Sequence, residues 1–152
     1  MTFEQAVRAC PLLRSLYQRG LAALGSHSGC VSCNDPRRLT GSVDLDGATQ
    51  KAFPDSPRWD YGIGFRPPKG KEVALWIEIH PASSTHVDEV LKKLNWLRDW
   101  LDKNAKALQN LTKQGGYYWI APDGRIAVTP NSPQAKRLAK EGLRGPLRGL
   151  KL

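Results

Sequence analysis

The chain has little cysteine, a shortage of acid, and no apolar run approaching the ~20 residues that cross a bilayer. The last absence argues against a membrane-embedded protein. Its three cysteines, Cys10, Cys30 and Cys33, cannot all pair within one chain, which argues against a disulfide-built scaffold. The opening residues MTFEQAVRAC lack a basic segment followed by an apolar one, so no secretory leader is expected. These features together predict a cytoplasmic chain with reduced thiols. No Walker or GxGxxG pattern follows a strand-like run, so Gly62 and Gly64 form no phosphate loop. The segment HSGCVSC sets His27, Cys30 and Cys33 at spacings zinc accepts, yet no second CxxC or HxxxH completes a ligand set. A loop of reduced cysteines is the simpler reading. No internal repeat is visible.

What the chain does have is enough apolar matter for one domain. Its 152 residues are 40% hydrophobic and include five tryptophans, and a chain of this length buries about two-thirds of its unfolded surface. Lysine and arginine number 23 against 14 aspartates and glutamates, a formal +9 with a pI near 9.7. Such a surplus favours polyanionic partners, and nucleic acid, DNA or RNA, is the expectation, with no membrane partner. Part of the surplus lies after Thr129, where Glu141 is the single acid. That tail reads either as a phosphate-holding segment or as a solvated basic face. We expect a single domain over residues 1–152, with a core at about 2–129 and a basic helix and tail at 130–152.

Apolar positions at Phe3, Val7, Leu12, Leu13, Leu16, Leu21 and Leu24 predict a short helix capped by Thr2, then a longer one from Pro11 to Gly25. The segment LTGSVDLDGA alternates as a short strand, and WDYGIGF as a second whose other face is bare except for Asp60. The run EVALWIEIH is covered on both faces, as a central strand requires, and Pro81 stops it. A long helix follows, capped by Ser84 or Thr85, with an apolar stripe at Val87, Val90, Leu91, Leu94, Leu97, Trp100, Leu101 and Leu108. Trp96 and Trp100 are most simply core residues. YYWIAPDGRIAVT predicts a hairpin, SPQAKRLAKEGL a helix capped by Ser132, and RGPLRGLKL a frayed end. The expected class is α/β, with a mixed central sheet flanked by helices.

Within this frame four acids and a histidine stand out. Asp44 and Asp46 should share one face of the first strand, and Glu78 and His80 one face of the third, because strand side chains repeat every two residues. Asp60 opens the second strand. If these strands are neighbours, the carboxylates converge on one edge of the sheet, and a convergent cluster is stable only when protonated or neutralised. Hard oxygen ligands suit Mg²⁺ or Mn²⁺. Beside a basic surface, such an ion makes phosphodiester hydrolysis the natural reaction. The plainer readings are that Glu78 forms a buried ion pair with Lys93 or an arginine, and that His80 is a satisfied strand-end residue. DLDG also makes a turn leading into Gly47.

This arrangement resembles the PD-(D/E)XK nuclease superfamily, the restriction-endonuclease-like fold. The family core runs helix, three strands, helix, strand, and its metal ligands are an Asp at the start of the second strand and an acid on the third. RWDYGIGF supplies Asp60 and WIEIHPA supplies Glu78, with His80 where the family carries lysine. The resemblance spans about residues 2–121. It implies a divalent-metal-dependent nuclease in which Asp60 and Glu78 hold the ion, assisted by Asp44 or Asp46. In some members the lysine moves onto the following helix, where Lys92 and Lys93 stand, and Lys93 beside Val90 and Leu97 suits the role better. His80 and Lys93 would then orient or deprotonate the attacking water. The alternative is a catalytically inactive relative that binds nucleic acid or protein. A homodimer or a larger complex would supply the recognition surface that one small domain lacks.

Overall fold

The computed structural model describes residues 1–83 and 85–152, so Ser84, one of the two expected helix caps, lies outside the described residues. The first helix, α1 (Phe3–Arg8), forms as the sequence predicts. Thr2 Oγ1 accepts from Gln5 N–H at 3.1 Å, and Gln5 Oε1 accepts from Thr2 N–H at 2.8 Å. This reciprocal pair satisfies two backbone donors that a helix start leaves free. Phe3, Ala6 and Val7 are buried.

The helix expected from Pro11 does not form. Gln18 instead exchanges both backbone hydrogen bonds with Ser42, at 3.0 and 2.8 Å, and Gly20 takes a positive φ of 53°. Sheet pairing at residue 18 overrides the helical pattern, and Leu12 and Leu16 are left exposed. A 3₁₀ segment, Ala22–Cys30, leads to the two-residue strand β1 (Val31–Ser32).

The central sheet has five strands in spatial order β2-β3-β4-β5-β6. Strand β2 (Leu39–Asp44) runs into the one-turn helix α2 (Leu45–Thr49). Strands β3 (Tyr61–Phe65) and β4 (Val73–Ile79) complete an antiparallel meander. The long helix α3 (His86–Asn104) and its continuation α4 (Lys106–Leu111) carry the chain back so that β5 (Thr112–Ile120) lies parallel to β4. After α5 (Pro133–Lys140), strand β6 (Leu143–Leu147) adds in parallel to β5, and β7 (Leu150–Lys151) pairs with β1. The α/β class and the mixed sheet are as expected. Among the described residues no helix is long and apolar enough to cross a membrane.

Two expectations at the C-terminal end are corrected. No hairpin follows β5, because both of its edges are taken by β4 and β6, leaving residues 125–129 no strand to pair with. The end of the chain is not frayed. It supplies β6 to the sheet and buries Leu143 and Leu150, so the core extends well past residue 129.

The two faces of the sheet divide the core by residue parity. Ala74 and Trp76 of β4 join Val43, Trp119 and the buried stripe of α3 in one cluster. Leu75 and Ile77 join Ile63, Phe65, Ile120, Leu24 and Leu150 in the other. The α3 stripe buries Val87, Val90, Leu91, Leu94, Leu97, Trp100 and Leu101, each contributing roughly 1.5–3 kcal/mol through removal from water. Glycine on β3 makes this layer possible, since a Cβ on Gly62 would sit 2.6 Å from the Trp76 ring. Glu78 shares the parity of Ala74 and Trp76, so it faces α3.

Candidate active site

The site forms where β3 begins and β4 ends. Tyr61 pairs with Ile77, which brings Asp60 beside Glu78. Their bonds cross: Asp60 N–H donates to Glu78 Oε1 at 3.2 Å, and Ile79 N–H donates to Asp60 Oδ2 at 2.9 Å. From the helix layer, Lys93 Nζ donates to Glu78 Oε2 at 2.5 Å. Lys93 reaches this point because Val90, Leu94 and Leu97 hold its side of α3 against the sheet. Glu78 is fully buried. A buried carboxylate is tolerated only with a cation and hydrogen bonds around it, and here it has both.

The electrostatics are uneven. Burial, followed by the charge of Glu78, pushes Asp60 up to about 7, while the Ile79 N–H and Lys93 pull it down. One ammonium therefore does not fully offset two carboxylates. Burial alone would lower Lys93, but the charge and hydrogen bond of Glu78 outweigh it and raise the ammonium above its usual range. Lys93 thus stays protonated across the neutral range. Tyr61 is pushed up to about 12 by burial and then by the charge of Asp60.

His80 lies one step beyond, with Nδ1 3.6 Å from Glu78 Oε2 and Nε2 2.9 Å from Glu89 Oε2. Glu78 raises its pKa most, burial opposes this, and Glu89 adds to the rise. A carboxylate stands at each ring nitrogen of His80. Trp119 Nε1–H donates to the His80 carbonyl at 2.8 Å and fixes the strand end.

Asp44 and Asp46 do not share a strand face, because the chain turns helical at Leu45. Asp44 caps α2, accepting from Gly47 N–H at 2.9 Å, and it is exposed. Asp46 lies in the first turn of α2 and accepts from Arg58 Nε–H at 2.8 Å. It adds only a smaller charge effect at Asp60. The DLDG turn explains both residues without an ion. Likewise His27 Nδ1 lies 2.9 Å from the Tyr61 hydroxyl, and Cys30 packs with the second core cluster. The expected helix cap at Thr85 makes no side-chain cap hydrogen bond.

Sequence reasoning passed over His86. It stands in the first turn of α3, its ring centroid 4.9 Å from that of His80, and Ser83 Oγ is 2.7 Å from its Nδ1. His80, His86 and Glu89 each offer a ligand atom, and these atoms lie within 4.8 Å of one another. The signal was present: His86 and Glu89 are three apart, which puts both on one helix face beside the end of the preceding strand.

Set against known proteins, the chain is similar over a short stretch to Peptidase B of Serratia proteamaculans (strain 568), 36% identical over 50 residues. Peptidase B of Yersinia pestis (strain Pestoides F) is 34% identical over 50 residues. The stretch is 33% of this chain and spans 12% of the length of these curated relatives. No family model matches the chain, and no solved structure matches it.

Proposed function

We propose that the chain is a divalent-metal-dependent nuclease of the PD-(D/E)XK type, with its lysine carried by the helix that follows the third core strand. The observation that carries this reading is the convergence of Asp60, Glu78 and Lys93 at one end of β3 and β4. The donor chemistry fits Mg²⁺ or Mn²⁺. Two carboxylates meet with one ammonium on Glu78, and burial, then the charge of Glu78, holds Asp60 at about 7. A hard dication relieves the repulsion between them and accepts oxygen ligands with waters in the remaining positions. Such an ion, when bound, polarises a phosphoryl oxygen and acidifies a water.

Asp60 and Glu78 would hold the ion. Lys93, protonated throughout the neutral range, is suited to stabilise charge that develops on phosphoryl oxygens and unsuited to act as a base. The +9 net charge supports a polyanionic substrate, DNA or RNA. The second reading is a relative that binds nucleic acid without cutting it. The Lys93–Glu78 ion pair favours it, since that pair offsets buried charge without any ion. The two readings part in a cleavage assay on single- and double-stranded oligonucleotides with Mn²⁺ or EDTA. The nuclease reading expects Mn²⁺-dependent cleavage by the wild type, abolished in Asp60→Asn and Glu78→Gln. Salt-sensitive binding without cleavage would favour the second.

A further inference from the structure

We infer that His80, His86 and Glu89 form a separate site for a borderline transition-metal dication of the Zn²⁺ class. Three features of geometry carry this. First, the donor atoms already converge: His80 Nε2 and Glu89 Oε2 are 2.9 Å apart, and the ligand atoms of all three lie within 4.8 Å of one another. Ligands around a tetrahedral zinc with bonds near 2.0 Å are separated by about 3.3 Å, so only small side-chain rotations are needed. Second, both histidines have an outer partner of the kind that orients a ligating imidazole. Glu78 Oε2 stands 3.6 Å from His80 Nδ1, and Ser83 Oγ stands 2.7 Å from His86 Nδ1. With Nδ1–H directed at Glu78, His80 turns its Nε2 lone pair outward, whereas His86 Nδ1 also accepts from Ser83 N–H at 3.3 Å and takes the same tautomer only by giving up that bond. Third, His80 also borders a cleft of about 160 Å³, which it lines with Ile79, Pro81 and Pro122, so the His80 side of the group adjoins open space.

The donor set selects the ion. Two imidazoles and one carboxylate with an open position suit Zn²⁺ and its neighbours, whereas Mg²⁺ prefers oxygen ligands. The site is therefore chemically distinct from the all-carboxylate pair at Asp60 and Glu78, although Glu78 touches both. The Glu89 side chain is 60% exposed, so delivering it to an ion costs little desolvation.

The inference does not rest on the nuclease reading, since a chain that cleaves nothing can still take up Zn²⁺. The test is calorimetric titration of the EDTA-stripped full chain with Zn²⁺, with Co²⁺ substitution read by its visible absorption. We expect one Zn²⁺ per chain and intense Co²⁺ bands of low coordination number. His86→Ala and Glu89→Ala should each lower affinity by more than the roughly 10–100-fold that losing an outer-shell partner costs, and Glu78→Gln by about that amount. Asp60→Asn and the Cys30→Ser/Cys33→Ser double variant should bind as wild type does. Far-ultraviolet dichroism in EDTA confirms that each variant is folded. Absence of Zn²⁺ uptake by the wild type, uptake unchanged in His86→Ala, or uptake lost in the cysteine variant would each overturn the assignment.

Discussion

Two acidic segments of this chain have the same sequence spacing and opposite fates. Asp44 and Asp46 stand two apart, as do Glu78 and His80, and both pairs were expected to line strand faces. At Asp44 the strand ends, a backbone N–H and Arg58 satisfy the two acids, and Asp44 stays exposed. At Glu78, one residue before β4 ends, the carboxylate is buried between the sheet and α3 against a second acid, a lysine and a histidine. The difference is one of hydrogen-bond accounting. An acid beside a turn finds an amide and solvent, whereas a buried acid needs, besides its amide, a cation brought from another element.

The largest test of this contrast is Lys93→Ala. It leaves the buried Glu78 carboxylate without its ammonium and should cost about 3 kcal/mol, seen as a drop in melting temperature. A drop within the range of an exposed pair, under about 1 kcal/mol, would mean that Glu78 is better hydrated than its burial indicates.

Asp60→Asn comes next, and its sign is the reverse. Folded Asp60 keeps its proton up to about 7, against 3.8 for an ordinary aspartate. Between those values the native state binds more protons than the unfolded chain, so stability falls as pH rises through that window and stays lower above it. Asparagine removes the penalty and keeps an acceptor for Ile79 N–H. In EDTA at about pH 8 the variant should be more stable than the wild type by on the order of 2 kcal/mol, and the gain should shrink toward pH 4. Chemical denaturation at both pH values measures it.

At the other acidic segment the effects should be small. Asp44→Ala removes a helix cap and should cost about 1 kcal/mol. Asp46→Asn breaks a partly exposed pair with Arg58 and should cost less than about 1 kcal/mol, weakening further in high salt. Neither should change metal-dependent cleavage. A loss of cleavage in Asp46→Asn, with stability unchanged, would bring Asp46 back among the ligands.

Most of what positions the site was legible in the sequence, for a physical reason. The strand YGIGF, the run VALWIEI and the stripe of α3 are set by local periodicity, and periodicity survives folding. The same patterns gave Asp60, Glu78 and Lys93 their places. Features settled by pairing at a distance were not legible. The Pro11 segment lost its helix to the Gln18–Ser42 bridge, and the tail became β6 because β5 offered a free edge. Asp46 looked like a strand residue, but β2 ends at Asp44 and α2 begins at Leu45. His86 was missed because its i, i+3 spacing from Glu89 is a weak signal without an apolar pattern to mark it. Only the fold brings it to His80.

If the chain is a nuclease, the buried ion pair of Glu78 and Lys93 exists for chemistry and not for stability. The double variant Glu78→Gln/Lys93→Met tests it most directly, because replacing both charges of a buried pair is often neutral or stabilising. The measurement is its rate of Mn²⁺-dependent oligonucleotide cleavage beside the wild type, in samples shown to melt within a few degrees of each other. The nuclease reading expects cleavage by the wild type and none by the stable double variant. Equal cleavage by both proteins, or none by the wild type on any single- or double-stranded substrate, would contradict it.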